Sequence, residues 1–491
     1  MLRGEVSRPV GNRSSGPGVG VLAMETPTPA RSTSRVRRDE AGGKRPDGPA
    51  RLTPRFRPDP SRIRVAPTDE ALTSYAGLVP FAQFRQKLGV DQRLHELFDG
   101  LKGGHRMRYW CADVLLLVMD SLVVGETRVY GLESLASDAL IERLAGGRVP
   151  SIDIVYDDLR RFGAPERASL LDLLIAHGYA VLKGRQLRCV HLDIDTTVEP
   201  LFGHQEGAYP GYNPRYHGRN CYHPLIARIA ESNTIVGARL RSGDHGFGVG
   251  DVGWLRQVIR RLRKELGPDV RIVVRIDSAA DGVEVLKALD ALKVIFVVKA
   301  KMTPALCTAV ATVPERAWRT VDRDADAHPV RQVTTVEFGR KTWNAQGVRY
   351  SVVAVRELDK EGGRKLFLWS DVDWTAHAFL TNTLEGDEEE IAAEYDGRAG
   401  IEPVIGELKR GYGLGQVPTT DFDANHTMFL LKLLTYNLVQ RYVRAQHPKL
   451  ATWQIGWVRR VLFRVPGKLV YHGRQWTLRV PAASRLARLL N

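Results

Sequence analysis

Hydrophobic positions divide the chain into stretches of different period. Residues 1–66 have no apolar period and are rich in Gly, Pro, Ser and Arg, which predicts a disordered basic tail. From 67 to 187 the spacing is helical. Leu88, Leu94 and Leu97 recur at helical intervals, as do Leu115, Leu116, Met119 and Leu122. Ser151 stands where an N-cap would open a short helix through Val155, Leu159 and Phe162. The run Val114–Val124 is apolar except for Asp120 and Ser121. It falls short of the roughly 20 residues that a bilayer span needs, so it reads as a core helix.

Beyond 187 strand patterns appear. Val190–Asp195 is a strand running into carboxylates. Leu225–Ala230 and Ile235–Leu240 are β-rich runs either side of the turn-prone Ser232-Asn233, which predicts an antiparallel meander. Val252–Leu266 is helical, Arg271–Ile276 a short strand, Asp281–Leu292 a helix and Val294–Lys299 a buried strand. This order predicts an α/β domain built on a mixed sheet. Residues 303–375 interrupt it with β-like runs at Val333–Phe338, Tyr350–Val355 and Lys365–Trp369. Helix returns at Glu388–Lys409 and Asn425–Val443. The expected organisation is a helical domain over 67–187, a core over 188–302 and 376–446, a β-rich insertion over 303–375, and a C-terminal segment over 447–491. Within that last segment Trp457–Val480 alternates apolar and basic residues and predicts a small hairpin.

Charge narrows the class of partner. The chain has 71 Lys+Arg against 56 Asp+Glu, a formal +15. About half of that excess lies in residues 1–66, and the rest points to a polyanion, nucleic acid before membrane. The helical domain is then either a DNA-contacting domain or a packing domain. The four cysteines, Cys111, Cys189, Cys221 and Cys307, have no CxxC spacing. They predict neither a zinc finger nor a disulfide framework, and a reduced compartment fits them. With no apolar span and no signal-peptide pattern, the expected location is the cytoplasm, without membrane attachment. The tryptophans in or beside the insertion, Trp318, Trp343, Trp369 and Trp374, are expected to pack in the core.

The candidate chemistry lies near the second core segment. Tyr395, Arg398, Glu402 and Lys409 stand at offsets of 0, 3, 7 and 14. On one continuous α-helix they would share an arc of about 60°. Such a face combines a carboxylate for metal with cations for phosphates. Gly397, Gly400 and Pro403 work against one continuous helix and predict a kink or a new helix start near Glu402.

This Tyr-x2-Arg-x3-Glu-x6-Lys pattern resembles the YREK signature of DDE transposases from bacterial insertion sequences. Asp195-Thr196-Thr197 resembles that family's first acidic strand, and Gly203–Gly207 the segment that follows it in one group. Arg275-Ile276-Asp277-Ser278 resembles the second acidic strand end, although Ala279-Ala280 stand where a Gly-aromatic pair is more familiar. Thr381-Asn382 and Ala424–Leu438 resemble the segments flanking the glutamate helix. The resemblance covers about residues 75–480. It implies an RNase H-like core with a β-rich insertion, with Asp195, Asp277 and Glu402 as catalytic metal ligands. It implies Mg2+, with Mn2+ as a substitute, and Tyr395, Arg398 and Lys409 as DNA contacts. It further implies double-stranded DNA as partner, both element terminal inverted repeats and target, and a homodimer in a synaptic complex within a bacterial nucleoid. Asp193 shares a strand face with Asp195 and remains the alternative first carboxylate. A nuclease without strand transfer and a non-catalytic DNA-binding regulator remain the alternative functions.

Overall fold

The computed structural model describes residues 60–104, 107–211, 217–358, 374–383 and 387–490. The expected run Lys365–Trp369 and nearly all of the tail lie outside these residues. The chain divides into two units, Met1–Pro67 and Thr68–Asn491, and everything below concerns the second.

Its first part is helical: α1 (Leu78–Lys87), α2 (Val90–Phe98), α3 (Cys111–Val124), α4 (Ile152–Arg160) and α5 (Ala164–Tyr179), with shorter turns between. Helix α3 is apolar on nearly all sides and buried on nearly all sides, as expected of a core helix. The one acid within its apolar run, Asp120, is buried against Arg85 at 2.7 Å, and Arg85 also holds Asp91 at 2.6 Å. The charge inside the apolar run is therefore paired rather than exposed.

Among the described residues nine strands form one mixed sheet. In chain order they are β1 (Cys189–Thr196), β2 (Leu225–Ile229), β3 (Thr234–Arg239), β4 (Arg271–Ile276), β5 (Ile295–Lys299), β6 (Arg319–Arg323), β7 (Pro329–Thr335), β8 (Ser351–Leu358) and β9 (Trp374–Thr381). Across the sheet they run β6-β7-β8-β9-β5-β4-β1-β2-β3. The meander β1-β2-β3 is antiparallel, while β1, β4 and β5 are parallel. That five-strand set is the RNase H-like arrangement. Asn233 adopts φ 55° in the β2–β3 turn, a conformation Asn tolerates. Helices α6 (Val252–Leu266) and α7 (Val283–Ala291) make the crossovers that parallel strands require.

The β-rich insertion does not form a separate layer. Its strands β6, β7 and β8 continue the same sheet, joined to β5 through β9, which returns antiparallel to both neighbours. Trp343 and Trp318 are buried there. Trp318 and Trp374 sandwich the Arg356 guanidinium at 4.4 and 4.7 Å.

After the insertion come α8 (Glu388–Asp396), a 3₁₀ turn at Gly397–Gly400, α9 (Ile401–Gly411) and α10 (Phe422–Gln446). Helix α10 packs on α5, α3 and β3. Its Asn437 accepts the Ile235 N–H and donates to Leu174 and Ile235 carbonyls. One buried amide thus fastens α10, α5 and the edge strand β3 together. Beyond α10 stands the hairpin of β10 (Gly467–His472) and β11 (Gln475–Arg479), followed by a short helix at Arg485–Leu490, and β10 also pairs with Leu72–Thr73. The expected hairpin is present, shorter than the run that predicted it. No helix among the described residues is long and apolar enough to cross a membrane.

Candidate active site

Strand register places the first two carboxylates side by side. Ile194 of β1 lies opposite Ile276 of β4 in a parallel pair. The next residue on each strand is an aspartate, Asp195 and Asp277, at the carboxyl ends of adjacent strands. Asp277 caps the 3₁₀ turn Ser278–Ala280, accepting the Ala279 N–H at 3.0 Å. Asp195 accepts the N–H of Thr196 at 2.9 Å and meets Arg398 Nη2 at 2.8 Å.

Arg398 joins the sheet to the helices. It is buried, and its Nη1 lies 3.7 Å from Glu402 Oε1, whose side chain is 66% exposed. Tyr395 stacks on Phe379 of β9 with ring centroids 4.4 Å apart. The Arg398 guanidinium stands 6.0 Å from the Tyr395 ring. The structure therefore brings Asp195, Asp277, Tyr395, Arg398 and Glu402 together. Lys409 lies a turn and more further on. Its ammonium donates to the Val198 carbonyl at 2.8 Å, beneath the chain that leaves β1.

The helix expected over Glu388–Lys409 is interrupted where Gly397, Gly400 and Pro403 predicted a kink or a new helix start. The break falls at Gly397–Gly400, and Glu402 opens the new helix α9. A Cβ at Gly397 would collide with Arg275 Nη1, and one at Gly400 would crowd the Arg228 guanidinium. These glycines are close-approach points for two buried arginines, a role that helix propensity does not reveal.

Those arginines decide the status of Asp193. In register, Asp193 faces Arg228 on one side and Arg275 on the other. Its two oxygens take Arg228 Nη1 and Arg275 Nε, both at 2.6 Å, and its side chain is 0% exposed. Burial pushes its carboxyl up while both guanidiniums pull it down. Arg275 continues to the Glu394 carbonyl and carboxylate. His191 bridges Glu231 at 2.6 Å and Glu394 at 3.1 Å. Its hydrogen bonds, to Cys189 first and then to the two glutamates, raise it to about 11. This network pins α8, and with it Tyr395, to the sheet. The sequence signal for it is an arginine flanked by apolar residues inside each of two strands, Arg228 and Arg275.

Electrostatics ties the site together. Burial first, and then repulsion from Asp277 and Glu402, pushes Asp195 up to about 6 against the pull of Arg398. Burial would lower Arg398, but the facing carboxylates, Asp195 foremost, raise it. Burial lifts Tyr395 to about 12, so it stays a neutral hydroxyl.

Among the described residues no three His, Cys, Asp or Glu side chains stand close enough to hold a metal by themselves. The donor chemistry still suits a hard cation. Magnesium binds through one or two carboxylates and keeps several waters, and Asp195 and Asp277 supply two. Their mutual repulsion is what a cation between them would relieve. The four cysteines are free, with Cys111 and Cys221 buried.

A family model described as transposase DDE domain group 1 matches residues 58–491. The chain belongs to this DDE transposase family. No curated protein matches it significantly. Among solved structures, it is similar to the piggyBac transposase synaptic complex with hairpin DNA, at 12% identity. That match covers 80% of this chain and 81% of that one, with a TM-score of 0.41. It is also similar to the Drosophila P element transposase strand transfer complex, at 12% identity over 73% and 71% of the chains, with a TM-score of 0.21. A third similarity is to the Mos1 transposase paired-end complex with left transposon end, at 13% identity over 40% and 60%, with a TM-score of 0.16.

Proposed function

We propose that this family member binds the ends of its own insertion sequence, cleaves them and transfers the 3′-OH ends to target DNA. The observation that carries this is the placement of Asp195 and Asp277 at adjacent parallel strand ends, with Arg398 linking Asp195 to Glu402. Asp195, Asp277 and Glu402 would hold Mg2+, or Mn2+ in its place. When bound, the metal supplies activation of the attacking oxygen and charge stabilisation of the leaving one. Glu402, exposed on the first turn of α9, is free to turn towards the aspartates when DNA arrives. Arg398 and the Tyr395 hydroxyl face phosphate oxygens, and Lys409 adds positive charge from beneath the Val198 backbone. Two ends must meet before transfer, so the working form is a homodimer on double-stranded DNA, in the cytoplasm at the nucleoid.

The test is a strand-transfer assay with a labelled duplex carrying the DNA that flanks the gene, plus Mg2+. The expected product is a covalent joint between a labelled 3′ end and target DNA. Cleavage without joining would establish the nuclease alternative. The same assay has a predicted pH profile. Asp195 is raised from 3.8 to about 6 in the fold, so its own contribution to stability is full below its ordinary value and is lost as pH rises through about 6. A divalent cation needs the ionised form and competes with the proton. Activity and metal-induced thermal stabilisation should therefore both rise through about pH 6. A flat profile across that range would contradict the assignment of Asp195.

A further inference from the structure

Residues 447–491 carry nine Lys and Arg and no Asp or Glu, an imbalance that the site does not use. Some of these charges are spent inside the fold. Arg459 is buried and donates to the carbonyls of Leu122, Val123 and Gly411. Arg464 donates to Val124. The hairpin β10–β11 presents three others, Lys468, Arg474 and Arg479, differently.

Its two faces are unlike. One carries Leu469 and Leu478, then the cross-strand pair Tyr471 and Trp476 with centroids 4.9 Å apart. Arg143 stacks on Trp476 at 4.1 Å, which ties this face to the helical part, although Tyr471 and Trp476 stay 57% and 39% exposed. The opposite face is turned outward and carries Lys468, His472, Gln475, Thr477 and Arg479, with Val470 the one apolar member. Arg474 stands at the exposed tip with φ 62°. Arg479 lies directly opposite Lys468. Two like charges in register repel, and only Lys468 has relief, from Glu70 at 2.5 Å. Among the described residues Arg474 and Arg479 make no ion pair. Leu72–Thr73 covers the β10 edge and leaves the β11 edge open.

We propose that this hairpin is a second DNA-contacting element: its outward face lies against the backbone of duplex DNA, with Arg474 and Arg479 on phosphates. A two-stranded ribbon fits the major groove of B-DNA. Apart from Val470, the hairpin's own side chains on this face are cations and neutral hydrogen-bonding groups, and the acid beside them, Glu70, is held by Lys468. The inference rests on the transposase assignment for which duplex is bound, but it does not depend on the carboxylates.

The test compares the full chain with Arg474→Ala/Arg479→Ala in EDTA, so that no cleavage intrudes. Anisotropy of a short labelled duplex is followed across a salt series. Each phosphate contact contributes about 0.9 to the slope of log affinity against log salt. The double variant should show a slope shallower by about 1.8 and binding roughly tenfold weaker at moderate salt. Both residues are exposed, so a retained circular-dichroism melt is expected. An unchanged slope would overturn the inference and leave the charges as guards of an open sheet edge. An unchanged slope with altered oligomeric state, read by sedimentation, would also overturn it and assign the face to a second copy. If the unmodified chain binds no duplex and cleaves none with metal, the transposase proposal itself fails.

Discussion

Asp277→Asn is expected to remove DNA cleavage almost entirely while the protein still folds and still binds duplex DNA. The substitution is isosteric, and an amide oxygen can still accept the Ala279 N–H that caps the turn. What is lost is one negative charge at the proposed metal position. Metal-borne charge stabilisation is worth several kcal/mol in the transition state, and each 1.36 kcal/mol is tenfold in rate. A loss of about a thousandfold or more follows. Asp195→Asn should act alike, with one difference. The folded chain already raises Asp195 to about 6, so neutralising it should leave the melting temperature unchanged or higher at neutral pH. Glu402→Gln should lose activity with little effect on stability, because the side chain is 66% exposed. The measurements are cleavage of a labelled end duplex and a thermal melt for each variant. Cleavage retained at near-normal rate in any one would remove that residue from the site. No cleavage by the unmodified chain, with duplex binding equal in all three variants, would favour a regulator without catalysis.

The sequence carried unequal shares of this site. The strands β1, β4 and β5 and the helix α6 sit where hydrophobic period placed them, within a residue or so. That works because short buried strands bounded by polar residues leave a local signal. Glu402 and Arg398 were legible from spacing, since residues four apart meet on a helix even when the preceding turn tightens. Other features depend on register, which pairs residues far apart in the chain and leaves no local trace. Arg228 and Arg275 look like ordinary basic residues, yet they flank Asp193 on two neighbouring strands. Gly397 and Gly400 look like weak helix positions, but they make room for those arginines. The insertion was legible as β-rich. Its continuation of the central sheet was not, because only the pairing of β9 with β5 makes one sheet of the two parts.

The pair Asp193 and Asp195 turns that distinction into a second large expected effect. Both lie on the same face of one strand, two residues apart, and sequence alone leaves either as the first catalytic carboxylate. Their surroundings differ in kind. Asp195 has one cation partner and a side chain 12% exposed towards Asp277 and Glu402. Asp193 has none of its surface exposed and both oxygens occupied. Asp193→Ala would leave two buried guanidiniums facing each other without their shared anion. Breaking a buried pair in this way costs about 3–5 kcal/mol, and Arg275 would also loosen its hold on Glu394 and α8. The expected result is a large drop in melting temperature, with cleavage falling only as far as the folded fraction falls. Asp195→Asn should do the reverse, keeping the melt and losing cleavage. Because the outcomes are opposite, one melt and one cleavage assay on each variant separate the two roles. An Asp193→Ala protein that melts like the unmodified chain yet cannot cleave would make Asp193, not Asp195, the carboxylate at the metal.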